Sequence, residues 1–262
     1  PDLKAACTAL AAFIADERPR WHTVRLDYLR DTNPATAAFV EALGQSGFSV
    51  RRQHQYENWY HDRPESTYGE YYASRPSRLR NTIERKGRKL NKSHRVDFVL
   101  YRHPEDDIAR GVRDYVAVYT SSWKRPEPYP DFMPELARRL VARDALRLGV
   151  LHVDEKPAAA QFWITTNGET CIYKLAYDEL YAAASVGTLL SHEMFRYALD
   201  VDRVRHIDYG VGSEAYKREW MESVREIFGV TAYSRRSLPG VARIVAASLR
   251  ATAKRVLRRA KD

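Results

Sequence analysis

The apolar positions of the chain follow two spacings that alternate along its length. In residues 3–15 they recur at every third or fourth position, as in a helix, and in residues 21–29 they alternate with polar positions, as in a strand. The same patterns predict further helices at 33–43, 77–91, 106–122, 132–148, 189–199, 213–226 and 241–261. They predict further strands at 48–52, 96–101, 150–154, 158–165, 170–177, 204–209 and 230–234. This order predicts an α/β fold with a mixed sheet flanked by helices.

Turn and loop signals separate these elements. Asn167-Gly168 is the strongest hairpin signal in the chain and joins the strands 158–165 and 170–177. The prolines within residues 126–130 predict an ordered surface loop, and the tyrosine-rich residues 56–72 predict another loop. The sequence shows no internal repeat, and we place domain boundaries near residues 102 and 239.

The charge of the chain is unevenly distributed. Its 262 residues, 44% of them hydrophobic, include 43 Lys or Arg against 34 Asp or Glu, which gives a net charge of +9. Most of the excess lies in residues 75–95 and 241–262. A basic surface favours a polyanionic partner, a phosphorylated cofactor or an acidic membrane, and the total charge does not choose among them.

Cysteine, histidine and hydropathy patterns narrow the class of protein. Cys7 and Cys171 lie far apart in the sequence, so we expect free thiols in a reducing compartment. No apolar run approaches the ~20 residues of a membrane span, and no signal-peptide pattern opens the chain. His152, His192 and His206 stand singly, without the paired spacing of a zinc site, so we expect no metal. These features predict a cytoplasmic protein.

The predicted C-terminal helix has an apolar side and a basic side. Val241, Val245 and Leu249 fall on the first side, and Arg243 is among the basic residues on the second. This pattern is typical of a helix that lies on an anionic membrane, which predicts peripheral contact through residues 241–261. A terminal helix packed on the domain, or a disordered basic tail, is the alternative interpretation.

A turn of small residues, Ser185-Val186-Gly187-Thr188, precedes the helix 189–199. The first amide groups of a helix have no intrahelical partner and lie at the positive end of its dipole, so this turn predicts an anion site. The alternative is that Ser185 or Thr188 merely caps the helix.

Three polar side chains stand out in the strands around this turn. Asp208 ends a strand, where ligand groups gather, and is our first candidate for a base or for a carboxylate that orients an acceptor. His206 lies two residues earlier on the same face, which would permit a His-Asp relay. Lys174 interrupts an apolar strand and would point into a cleft. The alternatives are a structural turn carboxylate, a surface histidine and a solvent-facing lysine.

Several stretches resemble a known family. They are residues 121–124, 159–164, 172–178, 185–190 and 208–220. They resemble the BioF2-like, cellulose-biosynthesis (CelD-type) branch of the GNAT acyltransferases, which is related to the FemABX transferases. The most specific part is the spacing from Asp208-Tyr209-Gly210 to Tyr216-Lys217. One departure is that the phosphate-type turn holds only Gly187, where the family usually has Gln or Arg followed by two glycines or by Gly and Ala.

The resemblance implies an architecture and a donor. It implies two GNAT-like lobes with the C-terminal one complete: an N-terminal lobe at 1-102, the acyltransferase domain at 103-238 and a basic helix at 239-262. It also implies that acyl-CoA is the co-substrate and that the strands 158–165 and 170–177 splay apart around its pantetheine. The implied cofactor-binding residues are Ile172, Tyr173, Ser185, Val186, Gly187, Thr188 and Leu189.

The resemblance adds two residues to the candidate catalytic set of Asp208, His206 and Lys174. Tyr216 would protonate the leaving thiolate, and Lys217 would bind a phosphate or an acceptor carboxylate. The alternatives are a tyrosine that only packs and a solvated lysine.

Three hypotheses for function follow. The first is an acyl-CoA-dependent N-acyltransferase whose amine acceptor is long-chain (sphingoid-type), lipid-linked or an amino sugar at the inner membrane. The second is a FemABX-like transferase that takes its acyl group from aminoacyl-tRNA, with the basic helix 77–91 on the RNA backbone. The third is a non-catalytic GNAT-like module that binds an acyl carrier or a membrane.

Overall fold

The computed structural model describes residues 2–62 and 67–259, and their contacts divide into two compact units. One unit takes its residues from Pro1–Glu57 and Arg225–Asp262, and the other is Asn58–Val224. These limits differ from the boundaries expected near residues 102 and 239, and the division into three domains stays a prediction.

The described elements alternate as the sequence patterns predict. The helices are α1 (Leu3–Asp16), α2 (Pro34–Gln45), α3 (Tyr68–Ser74), α4 (Ser77–Ser93), α5 (Ile108–Thr120), α6 (Phe132–Val141), α7 (Val186–Asp200), α8 (Lys217–Trp220) and α9 (Leu238–Arg259), with a 3-10 helix at Glu179–Ala184. The strands are β1 (Thr23–Arg30), β2 (Phe48–Asp62), β3 (Val96–Tyr101), β4 (Leu146–Val153), β5 (Lys156–Thr166), β6 (Glu169–Tyr177), β7 (His206–Asp208) and β8 (Ser223–Ser234). The predicted α/β class, a mixed sheet with flanking helices, is confirmed.

The unit formed by the two ends of the chain combines β1, residues 48–57 of β2, most of β8 and the helices α1, α2 and α9. β1 pairs antiparallel with β8. Asn33 caps α2 by accepting a hydrogen bond from the amide of Ala35, and Pro34 occupies the first helical position. The buried apolar cluster of this unit contains Cys7, Ala11, Leu43, Phe48 and Ala232.

In the Asn58–Val224 unit the strands are hydrogen-bonded in the order β2, β7, β6, β5, β4, β3. The neighbours are antiparallel except β6 and β7, which are parallel. Side chains of α5 and α6 pack on one face of this sheet, and those of α3, α4 and α7 pack on the other. Because both faces are covered, β4 is buried along its whole length.

The sheet opens between β6 and β7. Their pairing covers only residues 169–171 against 206–208. β6 then continues to Tyr177, whereas the chain after Asp208 turns through Gly210, whose φ of 68° favours glycine. β5 and β6 stay paired from Ala159 to Thr166, so the expectation that these two strands splay apart is wrong. The gap lies on the other side of β6.

β6 carries one extra residue beside this gap. Phe162 pairs with Lys174 and Trp163 pairs with Ile172, so Tyr173 has no opposite residue in the register of β5. A β-bulge of this kind bends the strand and re-aims its groups, and such bulges are frequent next to active sites.

Two predicted helices were too long. The helix expected at 132–148 ends at Val141, and β4 begins at Leu146, because a strand buried on both faces shows the same continuous apolar run as a buried helix. The helix expected at 213–226 is limited to α8, since β8 begins at Ser223.

Two further boundaries differ from the prediction. Where residues 56–72 predict a loop, β2 runs on to Asp62 and α3 begins at Tyr68, while residues 63–66 lie outside the described residues. Helix α7 begins at Val186, so it includes most of the small-residue turn instead of following it. Positions 260 and 261 of the predicted C-terminal helix also lie outside the described residues.

Candidate active site

Two cavities lie along the gap between β6 and the chain that follows β7. The first, the α7 cavity, has a volume of about 290 Å³ and is bounded by Trp123, Tyr177 and the first residues of α7. The second, the lysine cavity, has a volume of about 410 Å³ and is lined by residues 171–175 of β6 and by three lysines. Leu175, Tyr209 and Tyr216 line both cavities. Molecules bound in the two cavities would therefore meet at these residues.

The start of α7 forms one wall of the α7 cavity. Ser185 ends the preceding 3-10 helix in the left-handed conformation, with φ 58° and ψ 37°, and its side chain makes no capping hydrogen bond. The residues from Ser185 to Thr188 line the cavity. A helix start without a side-chain cap leaves amide donors and the positive end of the dipole for an anion. This geometry disfavours the alternative in which Ser185 merely caps the helix.

The predicted cofactor residues fall into three groups. Ser185, Val186, Gly187 and Thr188 line the α7 cavity. Ile172 and Tyr173 line the lysine cavity. Leu189 is buried, and its amide donates to the carbonyl oxygen of Ser185 at 3.0 Å, so this amide already has a partner.

Buried polar groups of β5 hold the start of α7, which forms one wall of the α7 cavity. Gln161 of β5 donates from Nε2 to the hydroxyl of Ser191 at 2.8 Å and accepts from the indole of Trp163 at 2.9 Å. The same nitrogen lies 3.3 Å from the carbonyl oxygen of Gly187. These bonds connect β5 to the first turns of α7 and fix the position of its start. The signal in the sequence was a single glutamine inside the apolar run 158–164.

Two tyrosines occupy the boundary between the cavities. The rings of Tyr209 and Tyr216 lie 5.7 Å apart in an edge-to-face arrangement. Burial, with a smaller contribution from the nearby Glu214, raises the pKa of Tyr216 to about 12. Burial and the neighbouring Tyr216 raise the pKa of Tyr209 well above its usual value. Both hydroxyls are therefore protonated at neutral pH and able to donate a proton.

Two of the lysines in the lysine cavity are paired with acids. The ammonium of Lys217, which is 3% exposed, donates to the carbonyl oxygen of Val211 at 2.6 Å and lies 2.8 Å from Glu214. The ammonium of Lys174 lies 2.8 Å from Glu127. Burial opposes the charged form of Lys174, but the bond to Glu127 outweighs it and raises the pKa of Lys174. Lys217 is thus not the solvated lysine of the alternative interpretation.

Asp208 and His206 line neither cavity. The carboxylate of Asp208 accepts hydrogen bonds from the side chain of Asn58 and from the amide of Gly210, both at 2.7 Å. His206 lies 3.8 Å from a carboxylate oxygen of Asp62, and its ring packs on Tyr60. The structure therefore brings together Tyr216, Lys217 and Lys174, and it places Asp208 and His206 in β7, within the sheet and outside both cavities.

Sequence reasoning missed several residues of the site. Tyr209, Trp123 and Lys124 were part of the stretches that carry the family resemblance, but no role was given to them. Trp123 lies with its ring 4.6 Å from that of Tyr177 at the α7 cavity. Glu219 also lines this cavity, one turn from Tyr216.

Searches for other kinds of site gave two negative findings. Within 2–62 and 67–259, no group of three or more His, Cys, Asp or Glu side chains could hold a metal ion. None of the helices in these ranges is long and apolar enough to cross a membrane.

Comparison with known families identifies the fold. The family described as the acetyltransferase (GNAT) domain matches residues 77–218, which is more than half of the chain. The chain belongs to the GNAT family. The matched residues include the whole lining of the lysine cavity and all of the α7 cavity lining except Glu219 and Trp220, and the resemblance noted from the sequence is confirmed. Membership of this family supports a transferase.

Solved structures share this GNAT fold at low sequence identity. FemX has a TM-score of 0.63 at 9% identity, over 88% of this chain and 77% of FemX. The C-terminal domain (DUF2156) of a protein described as a lysylphosphatidylglycerol synthetase, from Agrobacterium fabrum, has a TM-score of 0.56 at 12% identity, over 87% and 72%. L-PGS from Bacillus licheniformis has a TM-score of 0.52 at 14% identity, over 86% of this chain and 72% of L-PGS. At such identities the likeness concerns the fold alone. A search of curated proteins found no match.

Proposed function

We propose that the protein is an acyl-CoA-dependent N-acyltransferase, which moves an acyl group from a CoA thioester to an amine by direct attack. The observation that carries the proposal is the pair of cavities that meet at Leu175, Tyr209 and Tyr216. The α7 cavity would hold the CoA, with its pyrophosphate at the amides of Gly187 and Thr188. The lysine cavity would hold the amine.

The chemistry of the transfer assigns a role to each side of the gap. As the amine nitrogen bonds to the carbonyl carbon, the carbon–sulfur bond breaks. The amine loses its proton to solvent, the thiolate gains one from a protein hydroxyl, and solvent returns a proton to that hydroxyl. Beyond Cys171, none of the described strands pairs with β6 on the β7 side, so amides near the bulge at Tyr173 would donate to the developing oxyanion. Tyr216 would supply the proton to the thiolate.

Asp208 and Lys217 act in this proposal as positioning residues. Asp208 holds the amide of Gly210, and Lys217 holds the carbonyl oxygen of Val211. Both therefore fix the turn that follows β7 and leads from Tyr209 to Tyr216. His206 has no role in the proposed reaction.

The proposed acceptor is an amino sugar or a long-chain, lipid-linked amine, used on the cytoplasmic side of the inner membrane. Helix α9 supports membrane contact, because Val245 and Leu249 are exposed on it. Arg51 ties this helix to its own unit by donating to the carbonyl oxygen of Ala247 at 2.9 Å. Cosedimentation with phosphatidylglycerol vesicles tests the contact. Binding that is equal for phosphatidylglycerol and neutral phosphatidylcholine vesicles would argue against an electrostatic attachment.

Donor binding tests the proposed function. A ligand present at 100 times its Kd stabilises the fold by about 2.7 kcal/mol. For a chain of this size that raises the Tm by roughly 5–10 °C. We expect such a shift with CoA, acetyl-CoA or a long-chain acyl-CoA, together with amine-dependent release of the CoA thiol. No shift with any of the three would refute the proposal.

A FemABX-like, aminoacyl-tRNA-dependent transferase is the second candidate. Helix α4 favours it, because Arg78, Arg85, Arg88, Lys89 and Lys92 are exposed along it. Phosphate contacts release counterions, so tRNA binding through this helix should weaken steeply between 50 and 200 mM salt. Absence of tRNA retention at the lower salt concentration would remove this candidate.

A non-catalytic module remains the third candidate. It predicts that CoA or an acyl carrier binds, while no panel of amines releases the CoA thiol. Measuring binding and turnover on the same preparation separates it from the enzyme.

A further inference from the structure

The charged side chains that line the lysine cavity, taken together with Glu127 beside it, carry one more positive than negative charge. The ammonium groups belong to Lys124, Lys174 and Lys217, and the carboxylates that face them belong to Glu127 and Glu214. Glu127 pairs with Lys174, and Glu214 pairs with Lys217. The surplus charge is therefore carried by Lys124.

Lys124 has no acidic partner at ion-pair distance among the described residues. Its ammonium makes no hydrogen bond or ion pair with them, and it lies 5.7 Å from the ring centre of Trp123 and 5.8 Å from that of Tyr119. Lys174 lies over the same Tyr119 ring, also at 5.8 Å. Burial and the nearby Lys174 lower the pKa of Lys124, and the opposing effects of Glu127 and Glu214 do not offset them.

We propose that Lys124 binds an anionic group of the acceptor, and that the acceptor is an amine that also carries a carboxylate or a phosphate. The inference rests on the proposed acyltransferase function and names its substrate class. An anion next to Lys124 would bring the cavity to charge balance and give this ammonium its missing partner. The amine of the same molecule would then reach toward Tyr209 and Tyr216, which line the cavity at its junction with the α7 cavity.

The anionic group of the acceptor is either a phosphate or a carboxylate. The test therefore compares, for each group, an amine that carries it with a similar amine that does not. O-phosphoethanolamine is compared with ethanolamine, and β-alanine is compared with propylamine. Binding to the full chain is measured by calorimetry, with and without saturating CoA and with no thioester present. We expect the charged member of at least one pair to bind about tenfold more tightly, or better, than its neutral partner, because one charge-assisted bond forms. The pair that shows the preference identifies phosphate or carboxylate.

Variants of Lys124 decide whether this residue provides the preference. Lys124→Met should reduce the preference to less than about twofold, and Lys124→Arg should retain most of it, because Arg keeps the charge. Lys156→Met, at an exposed lysine that opens β5, is the matched control and should leave the preference unchanged. Lys124→Gln gives the same comparison if the Met variant does not fold.

The inference is overturned if neither charged amine binds better than its neutral partner, or if Lys124→Met and Lys124→Gln leave the preference intact. Failure of the proposed function appears elsewhere, as absence of acyl-CoA binding or of thiol release. A preference for anionic amines in a protein that does not bind acyl-CoA would therefore refute the donor and leave the anion site standing.

Discussion

Replacing Gly187 should separate the stability of α7 from its binding of the donor. A Cβ at position 187 would lie 3.1 Å from the ring of Tyr177, which is closer than ordinary van der Waals contact, and both residues line the α7 cavity. The ring must therefore move by a few tenths of an ångström. Alanine is also favoured over glycine inside a helix by about 1 kcal/mol. The two effects oppose each other, so Gly187→Ala should change the free energy of unfolding by less than about 1 kcal/mol.

Donor binding should respond more strongly than stability. The added methyl group and the displaced Tyr177 ring both occupy the cavity, and the methyl group lies beside the amides proposed to bind the pyrophosphate. We expect Gly187→Ala to weaken CoA binding about tenfold, which corresponds to about 1.4 kcal/mol. Gly187→Val should weaken it further. Calorimetric titration with CoA measures both, and thermal melts without ligand measure stability.

Helix α2 offers a matched control at Gly44. A Cβ at that position meets no atom within 4 Å. Gly44→Ala therefore adds the same helix-favouring methyl group but makes no close contact of the kind that position 187 makes with Tyr177. It should leave the CoA affinity unchanged. If Gly187→Ala and Gly187→Val bind CoA as tightly as the unaltered protein, the pyrophosphate does not lie at the start of α7, and the assignment of the α7 cavity to the donor is refuted.

Three other substitutions test separate parts of the argument. Tyr216→Phe should lower kcat by about 10²–10⁴-fold with unchanged CoA affinity. Since the pKa of Tyr216 is raised to about 12, its hydroxyl stays protonated through pH 10, and an alkaline loss of activity below pH 10 that disappears in Tyr216→Phe would contradict this. Asp208→Asn should keep most of the activity and an unchanged pH–rate profile; a loss of 10²-fold or more with a lost acidic limb would restore Asp208 as the base. Arg147→Met should lower the free energy of unfolding by about 3–5 kcal/mol, because it leaves the buried Asp202, now 2.8 Å from Arg147, without its partner. Denaturant titration measures this, and a change below 1 kcal/mol would show that Asp202 is not effectively buried.

Local signals in the sequence predicted those parts of the fold that depend on local conformation. Asn167 and Gly168 have φ angles of 52° and 76°, as a two-residue hairpin requires, so that turn could be recognised from two letters. β4 could not be recognised in the same way. Its apolar run is the result of burial on both faces by α5, α6 and α7, which no local pattern distinguishes from a helix.

The residues of the site likewise divide into those that a local sequence pattern indicates and those that depend on tertiary packing. The start of α7 was found because small residues before a helix are a local signal, and Tyr216 was found through the family resemblance. Gln161 and Lys124 were not assigned a role, because their surroundings depend on residues far away in sequence, Ser191 for the first and Lys174 for the second. The ion pair between Lys174 of β6 and Glu127 of the loop 126–130 forms only when the chain folds, so the sequence does not show it.

The correction in strand pairing also changes which groups can act in the reaction. The expected separation of β5 and β6 would have placed the donor against Gln161, Trp163 and the start of α7. In that case β7 would have stayed paired along the other edge of β6. Because β6 and β7 separate after Cys171, the free edge of β6 and the turn after Asp208 face each other across the gap. In this arrangement Tyr209 and Tyr216 line both cavities. Asp208 stands at the last paired position and accepts from the amide of Gly210 in the turn that follows, which is why we propose that it positions this turn and that the groups acting in the reaction come after it.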